Sequence, residues 1–128
     1  MEETEMNESD SILGTVKKLA GNMAPEYEYF DMDLLVFTNA TLATLTQLGV
    51  GPDNGFLIND ASATWADFIG DENPKLLFGF VKAYVPLKVR QKFDPPTSTI
   101  VSSSLDANIN ELEWRIREAA EILKYKRG

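Results

Sequence analysis

The stretch from Pro74 to Pro96 organises the apolar pattern of the chain. There Leu77, Val81, Tyr84 and Lys88 share one helical face, while Phe80, Val85, Leu87, Val89 and Phe93 spread apolar surface around most of the remaining circumference. A helix that is apolar nearly all round needs cover on every side, so this one belongs at the centre of the fold. The proline after Asn73 suits a helix start and Pro95-Pro96 a helix stop. Pro86 removes the bond to the Lys82 carbonyl and crowds that turn, which predicts a kink.

The flanking segments are shorter or one-sided. Asp10 or Ser9 can cap a short helix with an apolar face of Ile12, Leu13, Val16 and Leu19 and a stop at Gly21. Asn22 to Phe30 reads as a loop with aromatic anchors. A second helix begins near Asp31, whose carboxylate can accept backbone N–H bonds, and Asp33 favours the positive end of its first turn. Leu34, Leu35, Leu42, Leu45 and Leu48 form its stripe and Gly49 ends it. Gly49 to Gly55 is dense in turn formers, and Phe56-Leu57-Ile58 is a short extended run. Thr64-Trp65-Ala66-Asp67 fits a capping box opening a helical turn or two, with Trp65, Phe68 and Ile69 covering the central helix.

The last helix starts at Thr97-Ser98-Thr99 or at Ser102-Ser103-Ser104. Leu105, Ile109, Leu112, Ile116, Ala119 and Leu123 then step by four and three in alternation, a heptad seam. Counted from Thr97 to Arg127 it spans ~46 Å, against a radius of gyration of ~14 Å for a compact domain of this length. Such a helix overhangs its domain and needs something to lie against, or it folds back on the core as a helix hairpin. The fold class expected is mainly α: a small bundle of about four to five helices, a long C-terminal helix, and a short extended or hairpin segment near residues 50–60. Residues 1–8, nearly devoid of apolar side chains, read as a mobile acidic tail, and residues 9–128 as one domain.

Composition narrows the chemistry. The 128 residues include no cysteine and no histidine, which removes disulfides, thiolate nucleophiles, the usual zinc ligands and imidazole acid–base catalysis. Asp31 and Asp33 lie two apart on a helix and so face different directions, which favours capping over a catalytic pair. The glycines at 49, 51 and 55 have neither phosphate-loop nor dinucleotide spacing, and Asp53, Asn54, Asn59 and Asp60 do not fall at EF-hand positions. The chain is therefore not expected to be an enzyme or to hold a cofactor or metal. A net charge of −8 opposes gripping nucleic acid through its phosphates. Lys82, Lys88, Arg90 and Lys92, interleaved with large apolar residues, read as snorkelling side chains. No apolar run approaches the ~20 residues that span a bilayer, and the start lacks signal-peptide regions, so no membrane partner is expected.

Several separated motifs resemble one family. Thr46-Gln47-Leu48-Gly49-Val50-Gly51-Pro52, Ser62-Ala63-Thr64-Trp65-Ala66-Asp67-Phe68-Ile69-Gly70-Asp71, Leu87-Lys88-Val89-Arg90, Phe93-Asp94-Pro95-Pro96-Thr97-Ser98 and Glu111-Leu112-Glu113-Trp114-Arg115 occur in one order within residues 10–118. Together they are similar to the head–tail connector, or adaptor, proteins of long-tailed phages. The acidic first eight residues and the basic end lie outside the resemblance, and Pro86 departs from it. The resemblance implies a small helical virion protein at the head–tail interface, assembled in the host bacterial cytoplasm. It further implies a ring, expected as a dodecamer, with the portal above, a tail, stopper or second adaptor protein below, and DNA passing through the lumen without specific binding.

An acidic start and a basic end suit the heterologous contacts of a closed ring, in which one face meets a different face of the next copy. Within that reading, the helix from about Leu105 to Lys126 is the main docking element. Trp114 and Tyr125 are the candidate aromatic anchors, and Arg115, Arg117, Lys124, Lys126 and Arg127 the candidate partners for acids on a neighbour or the portal. Trp114 can equally pack inside its own domain beside Leu112 and Ile116. Two other classes stay open: a small acidic helical regulator or nucleic-acid mimic that binds a basic partner, and a carboxylate-only metal-dependent hydrolase, which would need acids converging in a pocket.

Overall fold

A computed structural model describes residues 10–70 and 73–127. Five helices follow one another: α1 (Ile12–Gly21), α2 (Asp31–Gln47), α3 (Trp65–Phe68), α4 (Lys75–Phe93) and α5 (Thr99–Arg127). The mainly α bundle with a long last helix is what the apolar pattern predicts. The segment 1–8 lies outside the described residues.

The centre is α4, which packs against α1, α2 and α5. It buries Leu77, Val81, Tyr84, Val85, Pro86 and Val89. The helix continues through Pro86 without a break, and the proline ring is covered by its neighbours. A proline at this position gives up one helix hydrogen bond, a local cost set against several large apolar side chains removed from water.

At α1 two sequence expectations are corrected. The N-cap is Ser11, not Asp10 or Ser9: its Oγ accepts from Gly14 N at 3.0 Å and donates to Ala61 O at 2.7 Å. Trp65 N donates to Asp10 O and Ile12 N to Ala63 O, with an antiparallel bridge between Ser11 and Thr64, so the backbone is held extended at residue 11. Leu19 is 58% exposed, because the buried face centres on Val16 and the small Ala20, leaving Leu19 at its margin. Gly21 remains helical and Asn22 takes the left-handed turn at φ 51°, a conformation asparagine tolerates.

Helix α2 begins at Asp31 as expected, but the capping role of its carboxylate is corrected. Phe30 precedes the helix and no side chain caps it. Asp31 instead faces Lys17, whose Nζ lies 2.8 Å from Asp31 Oδ1 and donates to Pro25 O at 2.7 Å. Lys17 is buried, and an unpaired ammonium there would cost more than a lost cap. Of the expected stripe, Leu34, Leu42 and Leu45 are buried, with Thr38 and Thr41 beside them, while Leu35 and Leu48 are only partly covered. In the loop between α1 and α2, Phe30 meets Phe93 edge-on at 5.2 Å and Tyr29 at 4.8 Å, so the aromatic anchors tie α2 to the end of α4.

Residues 50–60 form no hairpin, and no strand is present among the described residues. The Phe56–Ile58 run finds a side chain as its partner: Asn39 of α2 accepts from Ile58 N at 2.8 Å and donates to Ile58 O at 3.0 Å. Both groups that a strand neighbour would use at Ile58 are thus occupied. Asp60 receives the N–H and hydroxyl of Ser62, and these bonds draw its carboxyl below the usual range. Gly51 sits at φ +85° against the ring of Phe68, where a Cβ would collide.

The expected capping box is present: Thr64 Oγ1 accepts from Asp67 N at 3.2 Å and Asp67 Oδ2 from Thr64 N at 2.9 Å. It opens only four residues of helix, yet these place Trp65 and Phe68 in the core. The Trp65 indole N–H donates to Thr15 Oγ1 at 3.1 Å, and that hydroxyl donates to Ser11 O at 2.8 Å. The buried Trp65 ring and this satisfied polar chain join α3 to α1, while Phe68 packs near Phe56 and Gly51.

Candidate functional site

The heptad seam brings α5 back along α4. Leu105, Ile109, Ile116 and Ala120 are buried, and Leu112, Ala119 and Leu123 partly so. Its 29 residues span ~44 Å, about 15 Å more than the 19 of α4. The helix therefore both folds back as a hairpin and outruns its partner. Thr99, Ile100 and Val101 at its start are exposed, and so are its last described side chains, Lys124, Tyr125 and Lys126.

Polar contacts set the register of this pair. Gln91 Nε2 donates to Asp106 Oδ1 at 2.8 Å and Tyr84 Oη donates to Glu113 Oε2 at 2.6 Å, with Lys88 Nζ 3.6 Å from the same carboxylate. Burial, then the hydrogen bond to Glu113 and its charge, push the Tyr84 hydroxyl far above the ordinary tyrosine value. A raised value in the fold means that this contribution is complete below about pH 10, the unfolded tyrosine value, and is lost as pH rises beyond it. Tyr84→Phe is expected to cost about 1.5–3 kcal/mol at neutral pH, since the lost bond ends on a carboxylate. Urea unfolding at pH 7 measures this. An alkaline absorbance titration should show wild-type Tyr84 ionising only as the fold gives way, a step missing from the variant.

Opposite the seam, α5 turns a second set of residues outward. Trp114 is 56% exposed and Tyr125 87%; by helix periodicity Ile100 shares their side and exposed Ile122 lies on its flank. Trp114 thus does not pack inside beside Ile116, which is fully buried. Of the basic candidates, Arg117, Lys124 and Lys126 are exposed, and Arg115 is held by its own helix: Nε and Nη2 each lie 2.9 Å from Glu111 Oε2. Such an exposed pair one turn apart contributes ~0.3–0.5 kcal/mol and can be traded for an acid on a partner. The side chain of Arg127 lies outside the described residues. Ile100, Ile122 and Glu111 escape the sequence reading, and a heptad count of the outward positions would find the two isoleucines.

Near the C-terminal end of this helix, an open cleft of about 810 Å³ is bounded by residues 47–53, α3, Leu77 and the turn from Ala120 to Lys124. Among the described residues its carboxylates are Asp53, Asp67 and Glu121, and Asp67 is committed to the capping box. Among the described residues no group of three acids could hold a metal ion. No helix there is long and apolar enough to cross a membrane.

A family model described as phage connector protein matches residues 12–122. The chain belongs to that family. Neither a search of curated proteins nor one of solved structures gave a match. A connector role in phage particles follows from the family, which is one of structural proteins, and a place in the virion goes with it. In this connector the matched span covers all five helices apart from the last turn of α5, so the outward residues Trp114, Arg115, Arg117 and Ile122 belong to the family domain.

Proposed function

We propose that this connector is a head–tail adaptor: it assembles as a ring, a dodecamer, beneath the portal, receives a tail, stopper or second adaptor protein below, and lets DNA pass through its lumen. The observation that carries this reading is an apolar and aromatic face on α5, turned away from its own core, in a chain of the connector family. Tryptophan, tyrosine and arginine are the side chains that dominate protein interfaces. Trp114 and Tyr125 act as anchors, and Arg115, Arg117, Lys124, Lys126 and Arg127 meet acids on a neighbour or on the portal. The charge of −8, repeated around a ring, discourages DNA from sticking to the wall.

The test is sedimentation of the purified chain with the portal oligomer of the same genome, followed by native mass spectrometry of the complex. The expected result is a complex whose copy number of this chain matches the portal's symmetry. A chain that stays free at micromolar concentration would overturn the reading.

A further inference from the structure

Helix α2 has an uncovered face of an unusual kind. Met32, Val36, Ala40, Ala43 and Gln47 recur at steps of four and three, and all are exposed. They point away from the buried side made by Leu34, Thr38, Thr41, Leu42 and Leu45. Between Asp33 and Asp53 no residue is charged, so this surface carries neither acid nor base over four turns. An exposed helix face that is largely apolar marks a candidate docking surface, and depletion of charge is the mark of an interface centre.

The charge of the whole chain indicates what covers it. From Leu19 to Pro74 there are nine acids and no lysine or arginine, whereas from Lys75 to Gly128 there are ten bases and six acids. The first segment holds α2, edged by exposed Glu26, Glu28 and Asp33; in the second, α5 balances five acids with five bases, and exposed Arg115, Arg117, Lys124 and Lys126 flank an outward face that also carries Glu118 and Glu121. Both helices pack on α4, and each turns its uncovered face away from it. One copy therefore carries two different uncovered faces with opposite edge charge. The chain's own acidic residues 2–8 fit the α2 face poorly, because they would add acids to acids.

We infer that the outward face of α2 in one copy seats the outward face of α5 from the next, with Met32, Val36 and Ala40 opposite Trp114 and Ile122, and Glu26, Glu28 and Asp33 near the bases of α5. The inference rests on the ring reading and names its contact surfaces. Different faces meeting head to tail are what a closed ring requires. One helix face ~26 Å long and ~10 Å across falls well short of the ~800 Å² per partner of a stable pair. Two free copies accordingly hold each other weakly, and the contact forms when the portal gathers many of them.

Because the chain has no cysteine, introduced thiols report the contact cleanly. Ala40→Cys and Glu118→Cys place one thiol on each face at exposed positions with small demands on folding. The two single variants are mixed with portal rings, and in parallel at high concentration alone, then treated with a short bis-maleimide. Circular dichroism and portal binding are recorded for each. The expected product is a mixed dimer joining the thiol at position 40 of one variant to the thiol at position 118 of the other, identified by peptide mass spectrometry, with like-to-like dimers at least tenfold rarer. Predominant like-to-like products would mean a two-fold contact and overturn the inference. Portal binding in the right copy number without the mixed product would overturn it too, leaving the adaptor reading intact. Absence of both portal binding and mixed product would overturn the two together.

Discussion

Trp65→Ala is expected to lower stability by about 3–5 kcal/mol, a large share of the ~5–15 kcal/mol that holds a domain of this kind together. Trp65 is 1% exposed and is among the largest fully buried side chains. It sits on a helix of only four residues, which has little hydrogen-bonded length of its own to keep it in place. Removing the ring leaves a cavity under α3 and deprives Thr15 Oγ1 of its indole donor. The backbone bond from Trp65 N to Asp10 O and the neighbouring bond from Ile12 N to Ala63 O lose their support with it. Trp65→Phe keeps most of the volume and gives up the single hydrogen bond, worth about 1 kcal/mol, plus a smaller packing loss. Urea unfolding followed by far-ultraviolet circular dichroism separates the two variants. An alanine variant with a midpoint close to wild type would show that α3 is not part of the cooperative core.

The second large effect concerns assembly and leaves the fold alone. Trp114→Ala combined with Arg115→Glu is expected to abolish ring formation on the portal and recovery of infectious particles. The isolated chain should meanwhile unfold within about 0.5 kcal/mol of wild type, as exposed positions generally do. Trp114 is more than half exposed and Arg115 pairs with Glu111 on its own helix surface, so little internal packing is lost. A buried interfacial tryptophan is commonly worth about 2 kcal/mol or more, and a ring repeats the loss at every contact. Full assembly by the double variant would remove α5 as the docking element. A marked loss of monomer stability would instead return Trp114 to a structural role.

Much of the fold is legible in the sequence because apolar period and capping residues are local signals. The central place of α4 follows from apolar residues on most of its circumference, and α3 from the Thr64–Asp67 capping box. The α5 seam is legible too, since Leu105, Ile109 and Ile116 carry the alternation and are buried. The misses share a cause. Reading one helix at a time misplaces Leu19, Asp31 and the cap at Ser9 or Asp10, whose surroundings depend on chain segments distant in sequence. Lys17 and Asp31 form a pair across α1 and α2, and Ser11 caps α1 because the strand-like bridge to Thr64 fixes the backbone there. Asn39, a helix residue with no outstanding local signal, takes both hydrogen bonds of Ile58 and so decides that residues 56–58 stay single.

The candidate site divides in the same way. That α5 carries Trp114, Arg115, Arg117, Lys124, Tyr125 and Lys126 is a matter of order along the chain, and so is the lack of histidine and cysteine. Periodicity alone determined that α5 is long and has one apolar seam, because a helix places residues i and i+7 on one side whatever surrounds it. Only the tertiary structure decided that the seam is spent on α4 and that Trp114 is left facing outward. Burial is a property of pairs of surfaces, and a helix with apolar residues on two sides does not encode which side its own core will take. The same reason applies to α2, whose surface, uncharged beyond Asp33, became two distinct faces once α4 covered one of them.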